Sequence, residues 1–161
     1  MPKILMNKHG IGKAKYTVLK AALELGKRYR EENIAIGQTL NHCNRVKTFL
    51  KERLEDRDNE VFACIFMDNH FRLICFEELF QGTIHSAPIY PREIVKRGLF
   101  HNAAKLILAH NHPSGMASPS AEDSDVTQII KQTLALVDID VVDHIIIGRA
   151  QYFSFAEAGL L

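Results

Sequence analysis

Two histidines one residue apart, His110 and His112, follow directly on the apolar run Lys105–Ala109 (KLILA). On an extended chain, residues two apart project to the same side, so both imidazoles can meet one metal ion. Pro113 and Gly115 turn the chain within the loop PSGMASP, residues 113–119, and Ser120 and Asp123 then fall in the first turn of a following helix. A carboxylate there completes a His₂Asp set. Three protein ligands leave the fourth tetrahedral position of zinc to water, which marks a catalytic zinc rather than a structural one. The same residues allow a plainer account. A His-x-His pair also occurs without metal, and Ser120-x-x-Asp123 is a capping box at a helix start. The two accounts are compatible, because one aspartate can both cap and ligate.

The elements that must carry these groups are legible from periodicity. Residues 13–30 read as a helix with Val18, Ala21, Ala22 and Leu25 at helical spacing, and 33–39 as a linker. A second helix is expected over about 41–56, with Val46, Phe49, Leu50 and Leu54 on one face. Glu60–Met67 (EVFACIFM) is a nearly continuous apolar run, as in a strand buried on both faces. Asp68-Asn69 signals a turn, Arg72–Phe80 a return strand, and Thr83–Ser86 a short third strand. Pro91 suits the first position of a helix with Ile94, Val95 and Leu99 as its apolar face. Ser120 opens a helix to about Val137, Asp140–Ile147 is a strand, and Tyr152–Phe155 a further short one. Helices mixed with strands imply an α/β core with the sheet in the middle.

With 161 residues, 47% hydrophobic and 24% charged, the chain has a globular rather than a disordered composition. No apolar run reaches the length of a membrane span, and the start MPKILMNKHGIGK lacks the apolar core of a secretory signal. Cys43, Cys64 and Cys75 are odd in number without a CxxC pair, which argues against a disulfide framework and for a reducing, cytoplasmic setting. The net charge of +1 hides an asymmetry: residues 1–30 carry eight Lys/Arg against Glu24 alone, and the rest carry twelve against eighteen acidic residues. A basic arm on an acidic body points to nucleic acid, or to no more than a solvated helix face.

The spacing His110-x-His112-x₇-Ser120-x₂-Asp123 resembles the JAMM (JAB1/MPN+) metalloprotease motif, and the match is closer to its RadC-like bacterial branch. HNHPSG (110–115), SPS (118–120), FQGT (80–83), PRE (91–93), DH (143–144) and YFSFAE (152–157) carry that resemblance, which covers roughly residues 40–161. It implies a JAB/MPN-type α/β/α sandwich with a cytidine-deaminase-like layout over 39–161, after a helical arm over 1–38. It further implies one Zn²⁺ per chain, held by His110, His112 and Asp123, and a peptide or isopeptide substrate. Glu60, heading the first core strand, takes the place of the family's general acid/base. A base is needed on chemical grounds as well, and Glu77, Glu78 and Glu93 remain rivals for that role. The resemblance gives Ser120 the hydrogen bond to the developing oxyanion, a kind of donor whose loss costs about 10²–10³ in rate. Asp143 and His144 are left outside the expected site, and His9, His42, His70, His85 and His101 lack ligand spacing.

In the arm, His9-Gly10-Ile11-Gly12-Lys13-Ala14-Lys15 resembles the end of the helix-hairpin-helix segment of longer RadC relatives. Gly10 and Gly12 would let backbone N–H groups approach a phosphate, with Lys13 and Lys15 beside them. Too few residues precede Gly10 for the first helix of a complete motif, so the expectation is non-specific, salt-sensitive DNA contact. An accessory DNA-associated role is therefore the alternative to a hydrolase. The adjacent letters HNH are not a nuclease ββα unit, and the His-x-Glu and Pro-Cys-x-x-Cys strings of zinc deaminases are missing. Imidazole ligands also favour zinc over the Mg²⁺ of carboxylate-rich nuclease sites.

Overall fold

The computed structural model describes residues 12–32, 37, 39–40, 43–82 and 89–161. Gly10, linker residues 33–36 and 38, and the strand expected at Thr83–Ser86 lie outside them. The chain forms two compact units, Met1–Ala35 and Ile36–Leu161. In the first, helix α1 (Lys13–Glu32) begins at Gly12, whose carbonyl accepts the Tyr16 N–H at 3.0 Å. Lys13, Lys15 and Lys20 are exposed on it. No helix among the described residues is long and apolar enough to cross a membrane.

The second unit is built on a mixed five-stranded sheet of order β2-β1-β3-β4-β5. Its elements are α2 (Cys43–Leu54), β1 (Val61–Met67), β2 (Leu73–Gln81), α3 (Pro91–Phe100), β3 (Lys105–Asn111), α4 (Ala121–Ala135), β4 (Asp140–Ile147) and β5 (Tyr152–Ser154). Only the β3–β4 pair is parallel, joined by the crossover through α4. The strands β1–β2, β1–β3 and β4–β5 pair antiparallel.

The unbroken burial of β1 follows from its central place, with helices over both faces. One face presents Phe62, Cys64, Phe66, Leu106 and Leu108, packed with Ile94 of α3 and Ile130 and Leu134 of α4. The opposite parity carries Ile107 and Ile145 toward α2, whose Val46, Phe49, Leu50 and Leu54 are all buried. Phe49 meets the ring of Phe76 edge-on at 5.3 Å. One expectation fails on α3. Leu99 is 57% exposed, and Gly98 is buried in its stead, since a Cβ at Gly98 would lie 2.8 Å from the Ile139 side chain. A side chain at that position would have to displace the terminal methyl of Ile139.

Candidate metal centre

The apolar run of β3 continues as strand through His110 and Asn111, so parity governs all three residues of the His-Asn-His triplet. His110 and His112 share the face covered by α4, and Asn111 points to the other. The chain then turns at Gly115, where φ is +89°, a conformation that favours glycine. The loop is fixed against the β4–β5 turn: His112 N–H donates to the Ile147 carbonyl at 2.9 Å, and Arg149 N–H to the Gly115 carbonyl at 2.8 Å. Gly148 permits this approach, since a Cβ there would fall 2.4 Å from the Gly115 carbonyl oxygen.

Ser120 is the N-cap of α4, and the capping box is complete. The Asp123 N–H donates to Ser120 Oγ at 3.0 Å, while Asp123 Oδ2 accepts from the Ser120 N–H and hydroxyl, each at 2.7 Å. The same carboxylate faces the histidines. Asp123 Oδ1 lies 3.0 Å from His110 Nε2, Asp123 Oδ2 3.6 Å from His112 Nε2, and the two Nε2 atoms are 3.0 Å apart. Burial alone would raise the Asp123 carboxyl. Hydrogen bonds from His110, His112 and Ser120, with the charge of His110, outweigh it and hold the group far below the carboxylate range. The hydrogen bond to Asp123, the Met116 carbonyl and the charges of Asp123 and Glu60 raise His112 against the opposing effect of burial.

The tautomers of both histidines are dictated by their partners. Thr127 spends its only proton on the Asp123 carbonyl, at 2.5 Å, so it can only accept from His144 Nδ1, also at 2.5 Å. Burial, then the charge of His110, holds His144 well below the ordinary histidine range, so this ring is neutral and its Nε2 is bare. His110 Nδ1 must therefore donate to it, at 2.8 Å. His112 Nδ1 donates to the Met116 carbonyl at 2.8 Å. With Nδ1 committed as a donor in both rings, Nε2 is the nitrogen that each would free for a metal, and the two Nε2 atoms and the Asp123 carboxylate face one point. Ligand atoms on a tetrahedral ion with bonds of about 2.0–2.1 Å lie about 3.3 Å apart, close to the separations found here. The donor set and its spacing fit a divalent metal ion, and each ring is oriented from behind as metal-ligating histidines are.

His144 and Thr127 were not recoverable from ligand spacing. The available signal was a histidine within the apolar strand DVVDHIII, because a buried imidazole needs partners. Phe155 stacks on it at 4.9 Å and Phe62 closes another side at 5.7 Å. Asp143, of opposite parity, is instead bonded to Ser154 and the Ala156 N–H.

Glu60 immediately precedes β1. Extending the β1–β3 register one step beyond Val61 places it opposite His112, on the parity of Phe62 and His110. Phe62 stacks against His110 at 6.1 Å. The rival glutamates are engaged elsewhere: Glu77 by Arg97 and His101, Glu78 by Arg57, Glu93 by Lys96 and Arg92. The other cluster of ligand-type side chains among the described residues, Cys75, Glu77 and His101, has the Arg97 guanidinium on its carboxylate. That cation already supplies the charge a metal would bring. Its hydrogen bonds to Glu77, with those of His101, hold this carboxyl below its usual range against the opposing effect of burial.

The RadC-like JAB domain family matches residues 40–160. The chain belongs to this family. The UPF0758 protein of Thioalkalivibrio sulfidiphilus is 53% identical over 152 residues, spanning 94% of this chain and 68% of that protein. The UPF0758 proteins of Nitrosococcus oceani and Ralstonia nicotianae are each 53% identical, over 94% of this chain and 68% and 67% of theirs. The RadC-like domain thus spans the whole sheet, and both histidines, Ser120 and Asp123 lie inside it.

Proposed function

We propose that this RadC-like protein is a zinc-dependent hydrolase of the JAMM type that cleaves peptide or isopeptide bonds. The observation that supports the reading is the convergence of His110 Nε2, His112 Nε2 and Asp123 with both histidine tautomers fixed. Two nitrogens and one carboxylate oxygen suit zinc, which would supply a Lewis acid and a water acidified to a pKa of about 7. Glu60 takes the proton of the attacking water and passes it to the leaving amine. Ser120 hydrogen-bonds the carbonyl oxygen as charge develops, its hydroxyl turning from Asp123 Oδ2 to do so. Phe62 and Phe155 exclude water behind His144, which keeps the His110 tautomer correct for binding.

The test is zinc per chain, by inductively coupled plasma mass spectrometry on protein purified without a chelating resin. One zinc in the parent and little in His112→Ala is the expected pair of values. No zinc in either, even after adding it back, removes the reading. Gly148→Ala is expected to displace the 113–117 loop, which carries the acceptor for His112, and to weaken zinc affinity about 10–100-fold. Competition against a chromophoric chelator measures it.

The exposed Lys13, Lys15 and Lys20 of α1 favour a second, compatible reading, a non-specific DNA contact by the N-terminal arm. Duplex binding would weaken steeply between 50 and 200 mM salt and vanish on deletion of residues 1–30. Unchanged binding after that deletion excludes the arm.

A further inference from the structure

We infer that Asn111, between the two histidines, is a positioning residue that holds Glu60 at the metal centre; this rests on Glu60 acting there. Asn111 is 1% exposed, and its side chain leaves β3 on the face opposite His110. Its Oδ1 accepts the Val61 N–H at 2.8 Å, and its Nδ2 donates to the Asn59 carbonyl at 3.1 Å. These are the two peptide groups that flank Glu60. One side-chain amide therefore grips the chain immediately before and after that residue.

The β1–β3 ladder pairs Phe62 with His110 and then ends. At the next step the Asn111 amide stands in for a peptide group, offering one acceptor and one donor to the entering strand. The Gly82 N–H, at the end of β2, holds the Glu60 carbonyl from the other side at 2.9 Å. Glu60 is thus fixed by its backbone, leaving its carboxylate unencumbered by a structural bond of its own among the hydrogen bonds described. Asparagine is the residue type for this task. Aspartate has no donor for the Asn59 carbonyl, and serine is too short to reach both groups. The triplet therefore performs two tasks by strand parity alone, with ligands to one side and the brace for the base to the other.

The experiment uses the full chain loaded with Co²⁺, whose visible absorption responds to ionisation at the centre. The midpoint of its pH titration is compared in the parent, Glu60→Gln, Asn111→Ala and the double variant. Glu60→Gln is expected to displace the midpoint by about half a pH unit or more. Asn111→Ala is expected to displace it in the same direction with one Co²⁺ still bound, and the double variant to match Glu60→Gln. Should Asn111→Ala unfold, Asn111→Ser leaves room for a water and carries the same expectation. A merely structural role would lower the melting temperature or Co²⁺ affinity and leave the midpoint of loaded protein unchanged. That result, with Glu60→Gln still shifting the midpoint, overturns the inference and spares the Glu60 reading. No shift in Glu60→Gln itself overturns both.

Discussion

Glu60→Gln is expected to retain one zinc per chain and to lose about 10²–10⁴-fold in hydrolysis, the usual contribution of a positioned general acid/base. The amide keeps the size of the side chain and removes only its capacity to take a proton. The prediction is selective because of where the other glutamates are. Glu77 is committed to Arg97 and His101, and Glu78 to Arg57. Glu77→Gln should therefore disturb the packing of α3 on β2 without abolishing turnover of any peptide or isopeptide substrate that the parent cleaves. Zinc retention and single-turnover rates measured together decide the matter. Full activity in zinc-loaded Glu60→Gln removes Glu60 from the mechanism, and a loss confined to Glu77→Gln transfers the role.

Zinc is expected to raise the melting temperature strongly. A ligand that binds only the folded state at about 1,000 times its Kd stabilises by about 4.1 kcal/mol. For a chain of this size that is roughly 8–16 °C, at about 2–4 °C per kcal/mol. His110→Ala should show almost none of the shift. The comparison belongs at one pH near neutrality, because the metal-free fold has its own acid dependence. The Asp123 carboxyl is lower in the folded state than in the unfolded chain. It therefore stabilises the fold above the ordinary carboxylate range, and that contribution is lost as the pH falls. Scanning calorimetry with and without zinc measures both effects. An equal zinc shift in His110→Ala would locate the binding elsewhere.

Much of the second unit could be read from periodicity because burial was periodic. The continuous apolar run of β1 and the face of α2 are such cases. The His-x-His spacing and the Ser-x-x-Asp box were equally plain, since each is a local pattern of strand or helix geometry. What escaped was non-local. His144 lies 34 positions from the histidine it orients, and only the parallel pairing of β3 with β4 brings them together. Asn111 stood in plain view inside the triplet, but its task depends on the β1–β3 register. Leu99 failed for the opposite reason: helical spacing was right, but close approach at Gly98 rotated the packed stripe away from it.

The Asp123 carboxylate closes the first turn of α4 and faces the two histidines at once. Helix initiation and ion capture are then one equilibrium viewed from two ends. An ion that immobilises Asp123 suppresses fraying at the front of α4, and any loosening of that turn releases the ion. The amides of 123–126 should report occupancy by their rate of exchange with deuterium: uptake of the ion suppresses the local opening of this turn, and their protection rises toward the level set by global unfolding, which the buried strand β1 already reports with and without the ion.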